Sequence, residues 1–327
     1  MVEELLPGLY RIEVPLPNSP LKALNSYVVH GRDRSLVVDT GMNREECLRP
    51  MLSGLEELGM DLRKTDFFIT HLHADHLGLV GRLASGSSRV YFNRSDAAIT
   101  NSERSEERWQ QLHAFYLANG FPEPELNEAW KSHPGRRYNA GRGIDFHIVE
   151  EGDTIGVGDY LFTCVETKGH TPGHMCLYEA KKKVLLCGDC ILFDITPNIT
   201  FWPELDNSLR DYLASLEKLA ALDVALVLPG HRRAWPDLRG RVNELKEHHR
   251  ARLGEVLSAL DDGAKTAFEV APHVTWDIEC DSWKEFPPTQ KWFAIGETVA
   301  HLRYLEKEGK VRRAEAGGRV MWTARGS

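Results

Sequence analysis

The alternation of apolar and polar positions divides the first part of the chain into short strands bounded by turn-forming residues. LYRIEV, SYVVHG, SLVVDTG and DFFIT are rich in β-branched and aromatic residues, with Gly, Pro, Asn and Asp around them. Between VVDTG and DFFIT, leucines recur at helical intervals, at Leu48, Leu52, Leu55 and Leu58. The pattern predicts a buried sheet with a covering helix.

After VYFN the pattern becomes polar and helical. The segment SDAAITNSERSEERWQQLHAFYLANG places Trp109, Leu112, Phe115 and Tyr116 on one apolar stripe, and EPELNEAWKS predicts a second helix. We therefore expect a helical insertion over about residues 95–140. Strand patterns resume at DFHIVEEGD, YLFTCVETKG, MCLYEAKKK and VLLCGD, and a helix near SLRDYLASLEKLAAL leads into VALVLPGH.

From about Arg241 helices replace the strands. VNELKEHHRARLGEVLSAL and KWFAIGETVAHLRYLEKEG are helical patterns, and the tail KVRRAEAGGRVMWTA predicts two short strands joined at Gly317 and Gly318. Helices followed by a hairpin suggest a small winged-helix-like domain. We expect it to span residues 241–327, after a larger α/β domain of residues 1–240.

Composition places the chain among ordinary globular proteins. Its 327 residues are 42% hydrophobic and 27% charged. No segment approaches the roughly 20 apolar residues that cross a bilayer, and the start, MVEELLPGLYRIEV, lacks the features of a signal peptide. We therefore expect a cytoplasmic protein without a membrane partner, whose cysteines are mostly reduced. Cys187 and Cys190 in CGDC have redox spacing, but core packing is the favoured interpretation.

The stretch THLHADHLG crowds ligand-capable side chains at one predicted strand end. His71, His73, Asp75 and His76 directly follow DFFIT, and imidazoles and carboxylates held by a strand end can bind a divalent metal. Further candidates follow three later apolar or β-rich runs, each directly after a glycine that lets the backbone turn sharply. These are His170 in KGHTPGH, Asp189 in LLCGDC and His231 in LPGHRR.

This ordered set resembles the metallo-β-lactamase superfamily, whose signature is H-x-H-x-D-H followed by a later His, a bridging Asp and a final His. The resemblance covers about residues 5–233, and DTG at Asp39 and NSY at Asn25 also match. It implies an αββα sandwich with two divalent metal ions where its halves meet. Around the first metal it implies His71, His73 and His170, around the second Asp75, His76 and His231, and between them Asp189.

The implied chemistry is hydrolysis in a metal-dependent enzyme. Two close metal ions can hold a hydroxide near neutral pH and polarise a carbonyl or phosphoryl oxygen. Asp75 and Asp189 would orient that hydroxide and take up its proton, while Asp39 would steady a ligand from behind. Histidine-rich sites suit zinc, although this ligand set also admits iron or manganese. We expect His174 to be a turn or supporting residue, and His113, His248 and His249 to lie on helix surfaces.

Within the superfamily, THLHADHLG and GHTPGH resemble the glyoxalase II-like branch. This favours a small-molecule substrate with an activated carbonyl, either a thioester such as a hydroxyacyl thioester or a lactone or other ester. The aromatics of the insertion, Trp109, Phe115, Tyr116 and Trp130, either wall the acyl group or pack the helices together. After LPGH the chain departs from true glyoxalase II enzymes, which makes glutathione thioesters in particular less expected.

Two other functions are weaker. The tail resembles the small winged-helix module of β-lactamase-like proteins that include RNA-cleaving and unassigned hydrolases. This resemblance offers an endoribonuclease or phosphodiesterase acting on single-stranded RNA as the alternative, and the basic residues of the tail could contact phosphates. They are Lys310, Arg312, Arg313 and Arg319. However, the net charge is −8 and the last helix mixes both signs, so nucleic acid is not favoured, and we expect packing or homodimer formation. The other weak function is that of an electron-transfer or oxygen-handling protein, as in the diiron flavoproteins of this superfamily. Those proteins have a first motif like H-x-E-x-D and a flavin domain, whereas this chain has His73-Ala74-Asp75-His76 and no obvious flavin segment.

Overall fold

The computed structural model describes residues 2–103, 106–141, 143–278 and 280–325. Its largest feature is a seven-stranded sheet in sequential order, antiparallel from β1 to β4 and parallel from β4 to β7. The strands are β1 Val2–Leu6, β2 Leu9–Pro15, β3 Ala23–Val29, β4 Ser35–Val38, β5 Thr65–Phe68, β6 Val90–Asn93 and β7 Phe146–Val149.

A second sheet of five strands stacks on the first, in the order β12-β11-β10-β9-β8. Its β11 and β12 are parallel and its other pairs antiparallel. The strands are β8 Thr154–Val157, β9 Tyr160–Glu166, β10 Met175–Glu179, β11 Val184–Gly188 and β12 Leu226–Pro229. A hairpin, β13 Val311–Ala316 and β14 Arg319–Ala324, turns at Gly317 and Gly318, both with positive φ.

Helices cover the sheets and build the two additions that the sequence predicts. Two short 3₁₀ turns occupy Leu62–Lys64 and Ala271–His273. The α-helices are α1 Glu45–Glu57, α2 Ala74–Leu77, α3 Val80–Leu83, α4 Arg94–Glu103, α5 Glu106–Ala118, α6 Glu123–Ser132, α7 Pro134–Arg137, α8 Ser208–Ala220, α9 Leu238–Ser258, α10 Ala267–Val270 and α11 Pro288–Lys307. In the described ranges, no helix is long and apolar enough to span a bilayer.

The central strands β3 to β6 of the first sheet are buried on both faces because each face meets a separate core. On β4, Val37 points to the core shared with α1, whereas Leu36 and Val38 point to the core between the sheets. Phe162 and Leu186 fill the inter-sheet core from the second sheet. The outer face of that sheet packs on α8 and α9 in a third core. The layers are therefore helix, sheet, sheet and helix, which confirms the predicted αββα sandwich.

The helical insertion and the C-terminal segment share a fourth core. Trp109 and Tyr116 of α5 are buried together with Val256 of α9 and with Ile295 and Trp292 of α11. The rings of Tyr116 and Trp292 lie 3.9 Å apart between centroids. Their apolar area is removed from water only when both segments are in place, so the two segments stabilise one another.

Some finer sequence predictions were wrong. Leu52 of α1 is 40% exposed, because the buried stripe of that helix runs through Cys47, Met51 and Leu55 and leaves Leu52 at its edge. His249 is fully buried rather than on a helix surface, since α9 packs between α8 and α11. Strands β1 and β8 were not predicted. The winged-helix assignment and the domain boundary between residues 240 and 241 stay predictions.

Candidate metal centre

Four loops bring the predicted ligands to one edge of the stacked sheets. The loop from His71 to His76 follows β5, and the loops carrying His170, Asp189 and His231 follow β9, β11 and β12. Strand ends that meet at one edge place their following residues close together, which is why ligands so distant in sequence converge. All seven side chains except the partly exposed His73 are buried.

The first triad joins three imidazoles through their ring nitrogens. Nδ1 of His73 lies 3.0 Å from Nε2 of His71 and 3.1 Å from Nε2 of His170. Two nitrogens bound to one tetrahedral zinc ion, at ~2.0–2.1 Å each, would be about 3.3 Å apart. The triad therefore already has nearly the spacing that a shared cation requires.

The second triad lies beside it, and Asp189 connects the two. Nε2 of His231 lies 3.3 Å from Nε2 of His76 and 3.4 Å from Oδ2 of Asp75. Asp189 approaches His76 through Oδ1 at 3.4 Å, and His231 and His170 through Oδ2 at 3.4 and 3.8 Å. Because its carboxylate reaches both triads, Asp189 has the position of a bridging ligand.

The donor set fits divalent cations. Oδ1 of Asp189 is buried and accepts no hydrogen bond from any described residue. A buried carboxylate oxygen without a donor is costly unless a cation satisfies it. Five imidazoles and two carboxylates converge on the same space, a set of N and O ligands typical of zinc and similar metals.

Groups behind the ligands fix which ring nitrogen faces the centre. Asp39 accepts hydrogen bonds from Nδ1 of His76 at 2.7 Å and from the backbone N–H and hydroxyl of Thr70, both at 2.8 Å. Nδ1 of His231 donates to the carbonyl of Ala23 at 2.7 Å, and Nδ1 of His170 to the carbonyl of Asn198 at 2.8 Å. Each Nε2 is therefore available to a metal.

Two supporting residues were not found by the sequence reasoning. Asp96 of α4 accepts hydrogen bonds from the N–H of Leu72 and Gly173 and from the hydroxyl of Thr171, and so ties the His71 loop to the His170 loop. Trp202 donates to the carbonyl of His170 at 2.9 Å, and its ring lies 6.3 Å from that of His73. Both lie in polar or irregular segments, where no local pattern distinguishes them.

His174 supports Asp189 from behind, in agreement with the prediction of a turn or supporting residue. Its Nε2 accepts the backbone N–H of Asp189 at 3.1 Å, and its Nδ1 lies 2.7 Å from the Thr167 hydroxyl. Its burial lowers its pKa well below the usual value. His174 is therefore neutral, with Nδ1 protonated, and its Nε2 holds the backbone of Asp189 in position.

The pKa values of the histidines in the two triads are shifted in opposite directions. Burial, together with the neighbouring His170, lowers the pKa of His73 to about 3. Burial also disfavours the charged form of His231, but Asp189 and Asp75 outweigh it and raise the pKa to about 10. Burial likewise opposes ionisation of Asp75, yet His231 and His76 hold its pKa at about 2. In the absence of a cation, a proton on His231 therefore offsets the buried carboxylates.

Metal binding is expected to release protons and to become tighter as the pH rises from about 5 to 8. A cation must displace the proton held on His231, and this competition weakens as protons become scarcer. Calorimetric titration with zinc in two buffers of different ionisation enthalpy measures the released protons. Binding that is tighter at pH 5 than at pH 8 would contradict this expectation.

Gly230, directly before His231, leaves no room for a side chain. A Cβ atom there would lie 2.6 Å from Oδ1 of Asp189 and 2.7 Å from Cε1 of His76. Gly230→Ala should therefore displace the bridging carboxylate and weaken metal binding by about tenfold, since overpacking typically costs ~1–3 kcal/mol. Gly254→Ala on α9, where a Cβ meets nothing within 4 Å, is the matched control. Equal metal affinity in the two variants would rule out this packing argument.

The aromatic side chains of the insertion pack mainly away from the ligands. Trp109 and Tyr116 are buried in the core shared with the C-terminal segment, and Phe115 stacks on Phe201 at 4.7 Å between ring centroids. Trp130 packs against the same core and lies under the Arg136 guanidinium. Helix packing is thus the role that the structure shows for these side chains, and Trp202 is the aromatic residue beside His73.

A further group of metal-capable side chains, His248, His249 and Glu297, lies between α9 and α11. Its carboxylate is already engaged by the Arg252 guanidinium and by the side-chain amide of Asn198. The fixed positive charge of Arg252 opposes a second cation there. This group therefore differs from the seven-residue cluster, in which no guanidinium of the described residues forms an ion pair with a ligand.

The chain belongs to the metallo-beta-lactamase superfamily. Residues 21–231 match the superfamily, and residues 253–324 match the metallo-beta-lactamase-like C-terminal domain. Members of this superfamily bind divalent metals, typically zinc. The prediction of a metal-dependent hydrolase is confirmed at the level of this class, whereas the glyoxalase II-like branch stays a prediction.

Individual relatives resemble two thirds or more of the chain. A metallo-beta-lactamase family protein from Thermus thermophilus is 32% identical, with a TM-score of 0.85 over 98% of this chain and 100% of that chain. The probable metallo-hydrolase YqjP of Bacillus subtilis is 24% identical over 298 residues, 86% of this chain and 87% of that protein. The human acyl-coenzyme A thioesterase MBLAC2 is 25% identical over 234 residues, 68% of this chain and 78% of that protein.

Proposed function

We propose that this protein is a dinuclear metal-dependent hydrolase that cleaves thioesters. The observation that carries the proposal is the pair of ligand triads sharing Asp189 in a buried cluster. Zinc is the proposed metal because histidine supplies most of the ligands. Bound there, the ions would supply an activated water at neutral pH and polarise the thioester carbonyl.

The chain's own residues would hold and move the proton. Asp75 and Asp189 are the carboxylates of the cluster, and with pKa values below the usual range both are ionised at neutral pH. Burial opposes this ionisation, but His231 and His76 stabilise both charges. An ionised carboxylate beside the attacking water can orient it and accept its proton. We assign this role to Asp75 and Asp189.

A thioester is favoured over other carbonyl substrates on two grounds. The motifs THLHADHLG and GHTPGH resemble the glyoxalase II-like branch, whose enzymes cleave thioesters. The human relative named as an acyl-coenzyme A thioesterase matches over 68% of this chain.

A substrate panel with and without chelator tests this proposal. We expect acyl-coenzyme A and hydroxyacyl thioesters to be hydrolysed faster than lactones, phosphodiesters and single-stranded RNA. A chelator should abolish the activity, and added zinc should restore it. Faster cleavage of RNA or phosphodiesters than of every thioester would overturn the proposal in favour of a nuclease.

The variant with both Arg312 and Arg313 replaced by alanine adds a control to the panel. Both side chains are exposed on β13, and Arg313 faces Glu306 at 3.8 Å, so neither belongs to the metal cluster. Thioester turnover should remain within about twofold of wild type, since exposed substitutions usually change stability by at most ~0.5 kcal/mol. A selective loss of RNA cleavage would instead assign the hairpin to phosphate contacts.

A further inference from the structure

The loop between β11 and α8 lies between the metal cluster and the C-terminal helix α11. The backbones of this loop and of α11 approach closely at Gly296, where the N–H of Phe201 donates to the Gly296 carbonyl at 3.0 Å. A Cβ on Gly296 would lie only 2.1 Å from the Thr200 hydroxyl. The position of this loop is therefore set by α11 as well as by the sandwich.

One hydrogen-bonded chain runs from this helix to a predicted ligand. Nδ1 of His170 donates to the backbone carbonyl of Asn198 at 2.8 Å, and Nδ2 of Asn198 donates to Oε2 of Glu297 at 2.6 Å. Nδ2 of Asn198 also donates to the Phe293 carbonyl of the same helix, at 3.4 Å. Helix α11 thus holds the side chain of the residue whose backbone carbonyl accepts the hydrogen bond from His170.

Glu297 is itself anchored within the C-terminal segment. Its second carboxylate oxygen pairs with the Arg252 guanidinium of α9, and both side chains are buried. Arg252 also donates to the Thr275 carbonyl at 2.8 Å, and its guanidinium lies 4.6 Å from the Trp276 ring centroid. Three segments of the C-terminal region therefore fix this carboxylate.

The hydrogen-bond acceptors of His76 and His231 come from a different part of the fold than the acceptor of His170. His76 donates to Asp39, and His231 donates to the carbonyl of Ala23, so both are supported from the first sheet. The acceptor of His170 is instead fixed from α11. The group that accepts from the distal nitrogen of a metal-binding imidazole sets the ring's orientation and its basicity as a ligand.

We propose that Glu297, acting through Asn198, is a positioning residue that aligns His170 with the first metal ion. The C-terminal domain is then a structural part of the metal centre rather than an attached binding module. This inference rests on the metal site of the proposed function, but it does not require that the substrate be a thioester.

The test compares Asn198→Ala and Glu297→Gln with the control Asn207→Ala. Asn198→Ala keeps the backbone carbonyl that accepts the hydrogen bond from His170 and removes the side-chain hydrogen bonds to Glu297 and to the Phe293 carbonyl, both on α11. Asn207 is more deeply buried than the partly buried Asn198, but its side chain caps α8 through the Arg210 N–H and contacts no ligand, so its loss reports a general effect of removing a buried asparagine side chain. If Glu297→Gln does not fold, because Arg252 loses its partner, Asn198→Ala still tests the inference.

The readouts are the affinity for each of two zinc ions, by competition with a chromophoric chelator, the visible spectrum of the cobalt-substituted protein, and kcat and KM. In Asn198→Ala we expect one of the two ions to bind ~10-fold or more weakly, with an altered cobalt spectrum and a lower kcat at a nearly constant KM. Asn207→Ala should match wild type in all three.

Two outcomes would overturn the inference. One is wild-type metal affinity and an unchanged cobalt spectrum in Asn198→Ala, and the other is the same metal loss in Asn207→Ala. The metal readouts also separate this inference from the proposed function. Weakened metal binding in Asn198→Ala supports the role of Glu297 even if the wild-type protein cleaves no thioester. If Asn198→Ala keeps both its metal affinity and its thioester cleavage, the inference about Glu297 fails and the proposed function stands.

Discussion

Asp189→Ala is expected to abolish metal binding at one of the two triads. Nearly all hydrolysis should be lost with it. Asp189 lies within 3.8 Å of nitrogens from both triads, and alanine offers no oxygen in its place. The buried His76 and His231 would also lose the carboxylate that compensates their charge. We expect kcat/KM to fall by roughly 10³-fold or more, equivalent to about 4 kcal/mol of transition-state stabilisation.

Metal content by elemental analysis and thioester kinetics on the same preparation measure this effect. Asp223→Ala is the matched control, because Asp223 is exposed and pairs only with Lys183 in the described structure. That variant should keep two metal ions and normal turnover. An Asp189→Ala protein that retained both ions and full activity would refute the bridging assignment.

Asp39→Asn is expected to give the second largest loss. The backbone of Asp39 has a φ of 61°, a conformation that asparagine tolerates as well as aspartate, so the substitution changes hydrogen bonds and not the backbone. The carboxylate accepts three hydrogen bonds, from His76 and twice from Thr70. An amide has one acceptor oxygen, and its NH₂ group would face a donor. We expect metal affinity to fall ~10–100-fold.

The affinity of the His76 triad for zinc, measured by chelator competition, tests this expectation. Asp237→Asn is the control, because Asp237 caps α9 through the Gly240 N–H and asparagine is an equally good capping residue. Asp39→Asn should therefore bind zinc more weakly than Asp237→Asn, which should keep the wild-type affinity. Unaltered zinc affinity in Asp39→Asn would show that His76 does not depend on Asp39 for its orientation.

The ligands were predictable because each stands at a local signal. His71, His170, Asp189 and His231 follow apolar or β-rich runs, and glycine precedes the last three. A strand end fixes the direction of the next few residues, which marked these side chains as candidates. The order of the motifs resembles that of the metallo-β-lactamase superfamily, and this resemblance implied both the sandwich and the convergence of the ligands.

The surrounding residues were not predictable because their roles arise from long-range packing. Asp96 belongs to a polar helix, and its partners Leu72 and Gly173 approach it only in the folded chain. Glu297 is one of several charges of mixed sign in the last helix, and no local pattern distinguishes it, but its contacts with Arg252 of α9 and with Asn198 form only in the folded chain, where it is buried. His249 was misplaced for the same reason, since its burial depends on which helices meet α9.

The core shared by the insertion and the C-terminal segment affects how the protein can fold during synthesis. Lys291 of α11 pairs with Glu125 of α6, 166 residues earlier in the chain. At ~5–20 residues per second, a ribosome needs on the order of 10 s to make the intervening segment. Throughout that time the apolar faces around Trp109 and Tyr116 lack their partners. We therefore expect the nascent insertion to need protection by chaperones until the C-terminal segment has been made.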